Sequence, residues 1–298
     1  MPGTYEVTAP LKPFLKWAGG KRWLTSRYAH LLPTSYNVYH EPFLGSGAVF
    51  FHLRPKKAFL SDANSHLIDC YVAMKDDWQS VWNYLLAFKR EHSENQYYEV
   101  RKTSFRSPTR EAARFIYLNR TCFNGIYREN LNGIFNVPKG TKDTVTFADD
   151  DFCAVSNSLK VASLRSTDFA DAIELAKKGD FIFIDPPYTV RHNHNGFVKY
   201  NQKIFSWSDQ VRLRDSVRMA VRRGVSCLIT NACHPSISEL YEGLGKKNPV
   251  SRSSVIAGAS KHRGTYEELV ITIGYDAVAA DVPINCSDSK RSSSEKRV

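Results

Sequence analysis

Residues 37–62 constrain the fold more than any other stretch. "NVYHEPFLGSGAVFFHL" and "KAFLSDAN" place a short strand from about Asn37, a glycine turn at Gly45 and Gly47, an apolar helix, and a second strand ending at Ser61-Asp62. Glycine enters left-handed backbone at little cost, so such a turn can swing the chain from strand to helix and let the backbone approach a ligand. Strand, glycine turn, helix, strand and terminal acid is the order of a parallel βαβ unit that binds nucleotides. The turn has G-x-G without the third glycine of a dinucleotide fingerprint, and a bare strand-to-helix corner would use the same residues. Asp62 suits either the hydroxyls of a ribose or the cap of a helix in "SDANSHL". Turn and acid together favour an adenosine-type cofactor.

The β/α alternation continues elsewhere. "FADAIELAKKGD" reads as a helix closed by Gly179, followed by the strand "FIFI". A helix over "SDQVRLRDSVRMAVRRG", capped by Ser208 and ended by Gly224, leads to the strand "VSCLIT", and the last clear strand is "EELVITIGY". Between about Asp76 and Asp151 the alternation stops. Apolar residues there recur at three and four in "DDWQSVWNYLLAFKREH" and "TREAARFIYLNR", and a turn-rich stretch follows to about Thr146. The expected organisation is an α/β domain over residues 1–75 and 152–286, interrupted by a mostly helical insert at 76–151. The tail at 287–298 is polar and charged and reads as disordered.

"FIFIDPPYTV" carries the chemistry. A buried strand does not run into a carboxylate unless the charge is paired or needed. Pro186 and Pro187 have no N–H, so their carbonyls can only accept hydrogen bonds. Asp185 beside them makes a compact acceptor-only site, whose complement is an amino group, and Tyr188 offers a flat face for a planar ring. A cis-proline turn with a capping aspartate is the bland alternative.

Two further stretches join it. In "FLKWAGGKRW", Lys16 and Lys21 flank Trp17 and the Gly19-Gly20 pair; solvated lysines on a glycine loop would look the same. "LNRTCFNGIYRENLNGIFNVPKG" interleaves Arg120, Arg128 and Lys139 with Asn124, Asn130, Asn136, Phe123 and Tyr127. Arginine and asparagine have the forked geometry that reads guanine and adenine edges, although an ordinary polar loop shares this composition.

Charge narrows the partner. Against 30 acids stand 41 Lys and Arg, a net +11, which points to a polyanion, nucleic acid before membrane. The six cysteines are scattered without a C-x-x-C pair, so neither a metal cluster nor a disulfide framework is expected. His192 and His194 lack accompanying cysteines or acids and read as loop residues, so no metal is expected. No G-x-S-x-G elbow occurs. No secretory signal and no apolar run near 20 residues is found, and the expectation is a cytoplasmic protein.

"FLKWAGGK", "EPFLGSGA", "LSDAN", "YLNR…FNGIYREN…GIFNVPKG" and "DPPY" occur in that order. In this the chain resembles the Dam-type, alpha-class (D12) DNA N6-adenine methyltransferases over about Phe14 to Tyr275. The resemblance implies a Rossmann-like S-adenosylmethionine-dependent sheet carrying a helical DNA-recognition insert, monomeric, acting on double-stranded DNA with a flipped adenine. It places Trp17, Lys21, Glu41, Pro42, Phe43, Gly45, Gly47, Asp62, Asp168, Phe169 and Asp185 at S-adenosylmethionine. Glu41 to Gly47 would wrap the methionine part, Asp62 the ribose, and Asp168-Phe169 the adenine ring. Asp185, Pro186, Pro187 and Tyr188 would form the catalytic pocket. Lys16, Arg120, Asn124, Arg128, Asn130, Asn136 and Lys139 would meet DNA, with Arg128 on a guanine. GATC is the favoured site, although "HNHNGFVKYN" departs from the Dam pattern. The competing readings are an RNA adenine methyltransferase, a non-catalytic DNA-binding regulator and a nicotinamide-dependent enzyme.

Overall fold

The computed structural model describes residues 11–128, 130, 133–190, 205–253 and 265–277. Seven strands form one sheet: β1 (Tyr39–Glu41), β2 (Ala58–Asp62), β3 (Ala162–Ser166), β4 (Phe181–Ile184), β5 (Ser226–Ala232), β6 (Lys246–Ser253) and β7 (Thr265–Ile273). Their order is β3-β2-β1-β4-β5-β7-β6. The first five are parallel, and β7 pairs antiparallel with both β5 and β6. This is a mixed α/β, Rossmann-like sheet. From β1 the chain winds outward through β2 and β3, then returns to β4 on the other side. Ligands settle where the winding reverses, here the carboxyl ends of β1 and β4.

β4 shows why the sheet is buried on both faces. Phe181 and Phe183 enter one apolar cluster, Ile182 and Ile184 the other, and all four are buried. The two-residue period of a strand sends alternate side chains to opposite faces, so the continuous apolar run is what a covered parallel strand needs.

Helices α1 (Arg22–Arg27), α2 (Ala48–Leu53) and α3 (Ser65–Asp76) come first. Then follow α4 (Trp78–Arg90), α5 (Glu94–Lys102), α6 (Pro108–Thr121), α7 (Phe152–Leu159) and α8 (Phe169–Glu174). The last two are α9 (Trp207–Arg222) and α10 (Pro235–Leu240). Val81, Leu85, Tyr97 and Ile116 of α4–α6 share one buried cluster with Leu67 and Tyr71 of α3. The 76–121 helices are thus packed onto a sheet-flanking helix rather than hung from it.

Several local readings change. Asn64, not Asp62, caps α3, its side chain accepting from the Leu67 N–H. α9 begins two residues earlier than expected: Ser206, not Ser208, is the cap, in a reciprocal capping box with Asp209. α8 stops at Glu174 instead of running to Gly179. Strands β3 and β6 and helices α1, α7 and α10 were not expected. The 192–201 loop with His192 and His194, and the 287–298 tail, lie outside the described residues.

Candidate active site

At the end of β1, Gly45 and Gly47 take φ +47° and +63°. The Gly45 N–H donates to Asp62 Oδ2 at 3.1 Å, and the Asn64 N–H donates to Oδ1 at 3.0 Å. Asp62 at the end of β2 therefore ties the turn in place. A Cβ on Gly45 would lie 2.7 Å from Trp17 Cδ1, so this glycine is required by close approach as well as by φ. The Trp17 indole in turn stacks on Tyr127 (centroids 5.8 Å) and Phe115 (6.5 Å). Trp17, Gly45 and Asp62 are thereby assembled, with Phe115 of α6 and Tyr127 against the indole.

Glu41 is buried and accepts from the Tyr39 hydroxyl at 2.7 Å. Burial pushes its carboxyl well above the usual range, opposed by the Tyr39 hydroxyl and a backbone N–H of Phe50 and reinforced by the negative charge of Asp185. Burial likewise raises Asp62, opposed by the N–H groups it accepts. Phe43 stacks on Phe169 at 5.5 Å, and Pro42 is buried beside it. Asp168 caps α8 and takes a bidentate contact from Arg212 at 2.6 and 2.9 Å, which holds its carboxyl below the usual range.

β4 delivers Asp185 to the same edge. Its Oδ1 receives the Lys21 ammonium at 2.8 Å and the Thr230 hydroxyl at 2.7 Å. Lys21 is enclosed, 3% exposed, and also donates to the Gly19 carbonyl at 2.7 Å. Glu268 stands 3.8 Å from the same ammonium and accepts from the Tyr188 hydroxyl at 2.6 Å. The Tyr188 ring lies 5.1 Å from Lys21 Nζ, and burial keeps its hydroxyl protonated far above the ordinary range. The Pro187 carbonyl accepts from Gln210 on α9 at 3.4 Å, and the Thr189 hydroxyl donates to the Phe205 carbonyl at 2.6 Å. No peptide among the described residues is cis.

The sequence pointed to neither Thr230 nor Glu268. The available signal for Glu268 was an acid heading the apolar "LVITI" run of β7. It reaches the site because β7 runs antiparallel: Glu268 pairs with Ala232 at the carboxyl end of β5.

The residues expected at DNA divide. Phe123, Asn124, Arg128, Asn130 and Asn136 are exposed. Arg128 Nε donates to Asn136 Oδ1 at 3.1 Å, and the Asn130 N–H donates to the Ile134 carbonyl at 2.9 Å, so both pairs brace one turn. Lys139 is half-buried and bonds Asp143 at 2.6 Å. Lys16, Asn124 and Lys142 line a cavity of about 260 Å³ with Phe123 and Thr141. Burial and the cations of Lys142 and Arg120 lower the Lys16 ammonium below its ordinary range. Arg120 departs from expectation. Its guanidinium is wholly buried, forked onto Asp150 at 2.6 and 2.7 Å and donating to the Phe14 carbonyl at 2.8 Å and the Val145 carbonyl at 3.0 Å. These bonds fix the Arg120 guanidinium to protein acceptors inside the fold, and the residue also lines the cavity of Lys16 and Asn124. Among the described residues, no group of three or more His, Cys, Asp or Glu converges to hold a metal, and no helix is long and apolar enough to cross a membrane.

Residues 17–255 match the family model described as D12 class N6 adenine-specific DNA methyltransferase. The chain is 36% identical to the type II methyltransferase M1.LlaDCHI of Lactococcus lactis subsp. cremoris, over 88% of this chain and 95% of that one. It is 33% identical to the type II methyltransferase M.MjaIII of Methanocaldococcus jannaschii, over 88% and 99%. It is 31% identical to the DNA adenine methylase of Haemophilus influenzae, over 88% and 94%.

Proposed function

The chain belongs to the D12 class N6 adenine-specific DNA methyltransferase family, and from that premise we propose that it methylates N6 of an adenine in duplex GATC with S-adenosylmethionine as donor. The observation that carries this reading is the convergence of the glycine turn and Asp62, the ends of β1 and β2, with Asp185, the residue following β4, at one sheet edge. The donor set suits the cofactor: Asp62 and Glu41 are acceptors for hydroxyl and ammonium groups, and the glycine turn, closed against Trp17, is bare backbone where a side chain would obstruct. Glu41 to Gly47 would hold the methionine part, Asp62 the ribose, and Asp168-Phe169 the adenine ring, with Trp17 and Lys21 alongside. When bound, S-adenosylmethionine supplies a sulfonium-activated methyl group: the N6–C bond forms as the C–S bond breaks, and sulfur keeps the electron pair.

The protein's part is alignment. The Asp185 carboxylate and the Pro186 carbonyl accept the two N–H hydrogens of the adenine amino group. Two acceptors draw the nitrogen toward tetrahedral geometry and localise a lone pair otherwise delocalised into the ring. Lys21 and Thr230 both engage Oδ1, which orients the carboxylate and directs Oδ2 to the substrate. The extra proton on N6 leaves for water after the methyl is in place, so no strong base is required.

An adenine inside a duplex hides its amino group, so the base must leave the stack and lie against Tyr188. Residues 76–151 form the target-recognition unit in this reading. Arg128 and Asn124 reach base edges, and Phe123, 52% exposed beside Asn124, is an apolar side chain suited to fill the gap. Two relatives are named type II methyltransferases, which supports a role beside a restriction endonuclease.

Tritiated methyl transfer onto duplex DNA and onto RNA, followed by sequencing of the modified sites, tests this. N6-methyladenine in GATC of duplex DNA is expected. Label confined to RNA, or absent from adenine, would contradict the reading.

A further inference from the structure

Glu268 is a carboxylate 3% exposed that the mechanism above leaves without a task. Removing such a group from water costs several kcal/mol unless partners replace the lost hydration. Two residues of the site are among its partners: the Tyr188 hydroxyl at 2.6 Å and the Lys21 ammonium at 3.8 Å. A 2.6 Å contact is the length of a charge-assisted O–H···O⁻ bond, about twice the strength of a neutral one. It fixes the Tyr188 ring at the end far from the backbone, where a tyrosine otherwise swings most freely.

The electrostatics point the same way. Lys21 bridges Asp185 and Glu268, so one ammonium is shared between two carboxylates. The second carboxylate is built into the framework: Glu268 is placed by its β7 ladder, where it pairs with Ala232, rather than by a loop. Methyl transfer leaves N6 positively charged until its proton departs. A fixed negative field favours that charge without reorganisation, which is how a preorganised site accelerates a reaction. Without Glu268, Lys21 would answer Asp185 alone and neutralise the acceptor that should face the amino group.

We propose that Glu268 is a positioning residue for adenine methylation, holding the Tyr188 ring in stacking orientation and drawing Lys21 off full neutralisation of Asp185. The proposal rests on the pocket accepting a flipped adenine. Nothing in it requires Glu268 to touch substrate.

The test compares Glu268→Gln, Glu268→Ala, Tyr188→Phe and the two double variants by single-turnover methyl transfer, KM for duplex DNA, and melting temperature. The fluorescence of 2-aminopurine at the target position reports how firmly the extruded base is stacked. Glu268→Gln keeps an acceptor for Tyr188 and loses the charge; its kcat should fall about tenfold with DNA KM within about twofold. Glu268→Ala should lose about tenfold more, and should raise the 2-aminopurine signal above that of the wild type, because a loosely held ring quenches less. On the Tyr188→Phe background the hydroxyl is already gone, so the further loss from Gln to Ala should be clearly smaller than on the wild type, while the loss from Glu to Gln, which comes from the charge, should persist.

If Glu268→Ala does not fold, the Gln variant alone and combined with Tyr188→Phe decides the matter. A Gln variant with wild-type kcat, a fall in melting temperature with kcat intact, or 2-aminopurine fluorescence unchanged in Glu268→Ala would overturn the assignment. A wild-type chain that transfers no methyl to duplex adenine would overturn the function itself. Normal Glu268 variants beside an active wild type would overturn this inference alone.

Discussion

The Lys21 ammonium sits 2.8 Å from Asp185 Oδ1, and two residues 164 positions apart in sequence thereby meet at the carboxyl end of β4. Lys21 is held there by the Gly19 carbonyl on its own loop, so the glycine pair acts as a stand for the ammonium. Lys21→Met keeps the length and removes the charge. Single-turnover transfer should fall by about 10²-fold, because Asp185 loses the contact that orients its Oδ2 toward the substrate, while duplex affinity changes little. A variant that methylates normally would show that the contact does not serve catalysis.

Arg120 belongs to stability. Its fork onto Asp150, together with the bonds to Phe14 and Val145 carbonyls, joins three separate stretches of chain. Arg120→Met leaves Asp150 as an uncompensated buried charge and should cost about 3–5 kcal/mol in denaturant unfolding. A loss of DNA affinity without a loss of stability would instead return Arg120 to the surface role expected from its sequence context.

Arg128, by contrast, is exposed, and its Nε is oriented by Asn136. Arg128→Ala should reduce discrimination between GATC and singly altered sites by about 1–3 kcal/mol, measured as the ratio of kcat/KM values. Unchanged ratios would remove Arg128 from base reading.

Glu41 makes a pH prediction. Burial raises its pKa above that of the unfolded chain, so the neutral form is favoured in the fold. Such a group stabilises the protein fully below the unfolded glutamate value and loses that contribution as pH rises through the folded one. Glu41→Gln can still accept from Tyr39 and never ionises. Its melting temperature should therefore exceed that of the wild type by a margin that widens from pH 5 to pH 8, while the shift produced by S-adenosylmethionine shrinks. A margin that is constant or reversed would contradict the buried-acid account.

How much of this was legible in sequence depends on what each residue obeys. The β1 turn and β4 were readable because φ at Gly45 and Gly47 and the covered faces of "FIFI" impose local patterns. Asp185 stood out because a charge after an apolar strand conflicts with burial. Glu268 and Thr230 did not, since their importance comes from which strand ends the sheet brings together, and β7's antiparallel pairing leaves no mark in its own pattern. β6 was missed because "KKNPVSRS" has neither apolar alternation nor strand-forming composition and gains its ladder from β7. The burial of Arg120 was not legible for a related reason. In the sequence it borders a loop rich in Arg and Asn, and only the packing of Phe14, Val145 and Asp150 around it reveals a buried cation.

Everything proposed for the reaction depends on one grip: the Asp185 carboxylate taking an N–H of the adenine amino group beside the Pro186 carbonyl. The most direct measurement is tritiated methyl transfer by Asp185→Ala under single-turnover conditions, with duplex binding followed in parallel. Transfer should disappear while binding to GATC duplex stays within a few fold of wild type. Methylation at the wild-type rate by Asp185→Ala would contradict the account at its base.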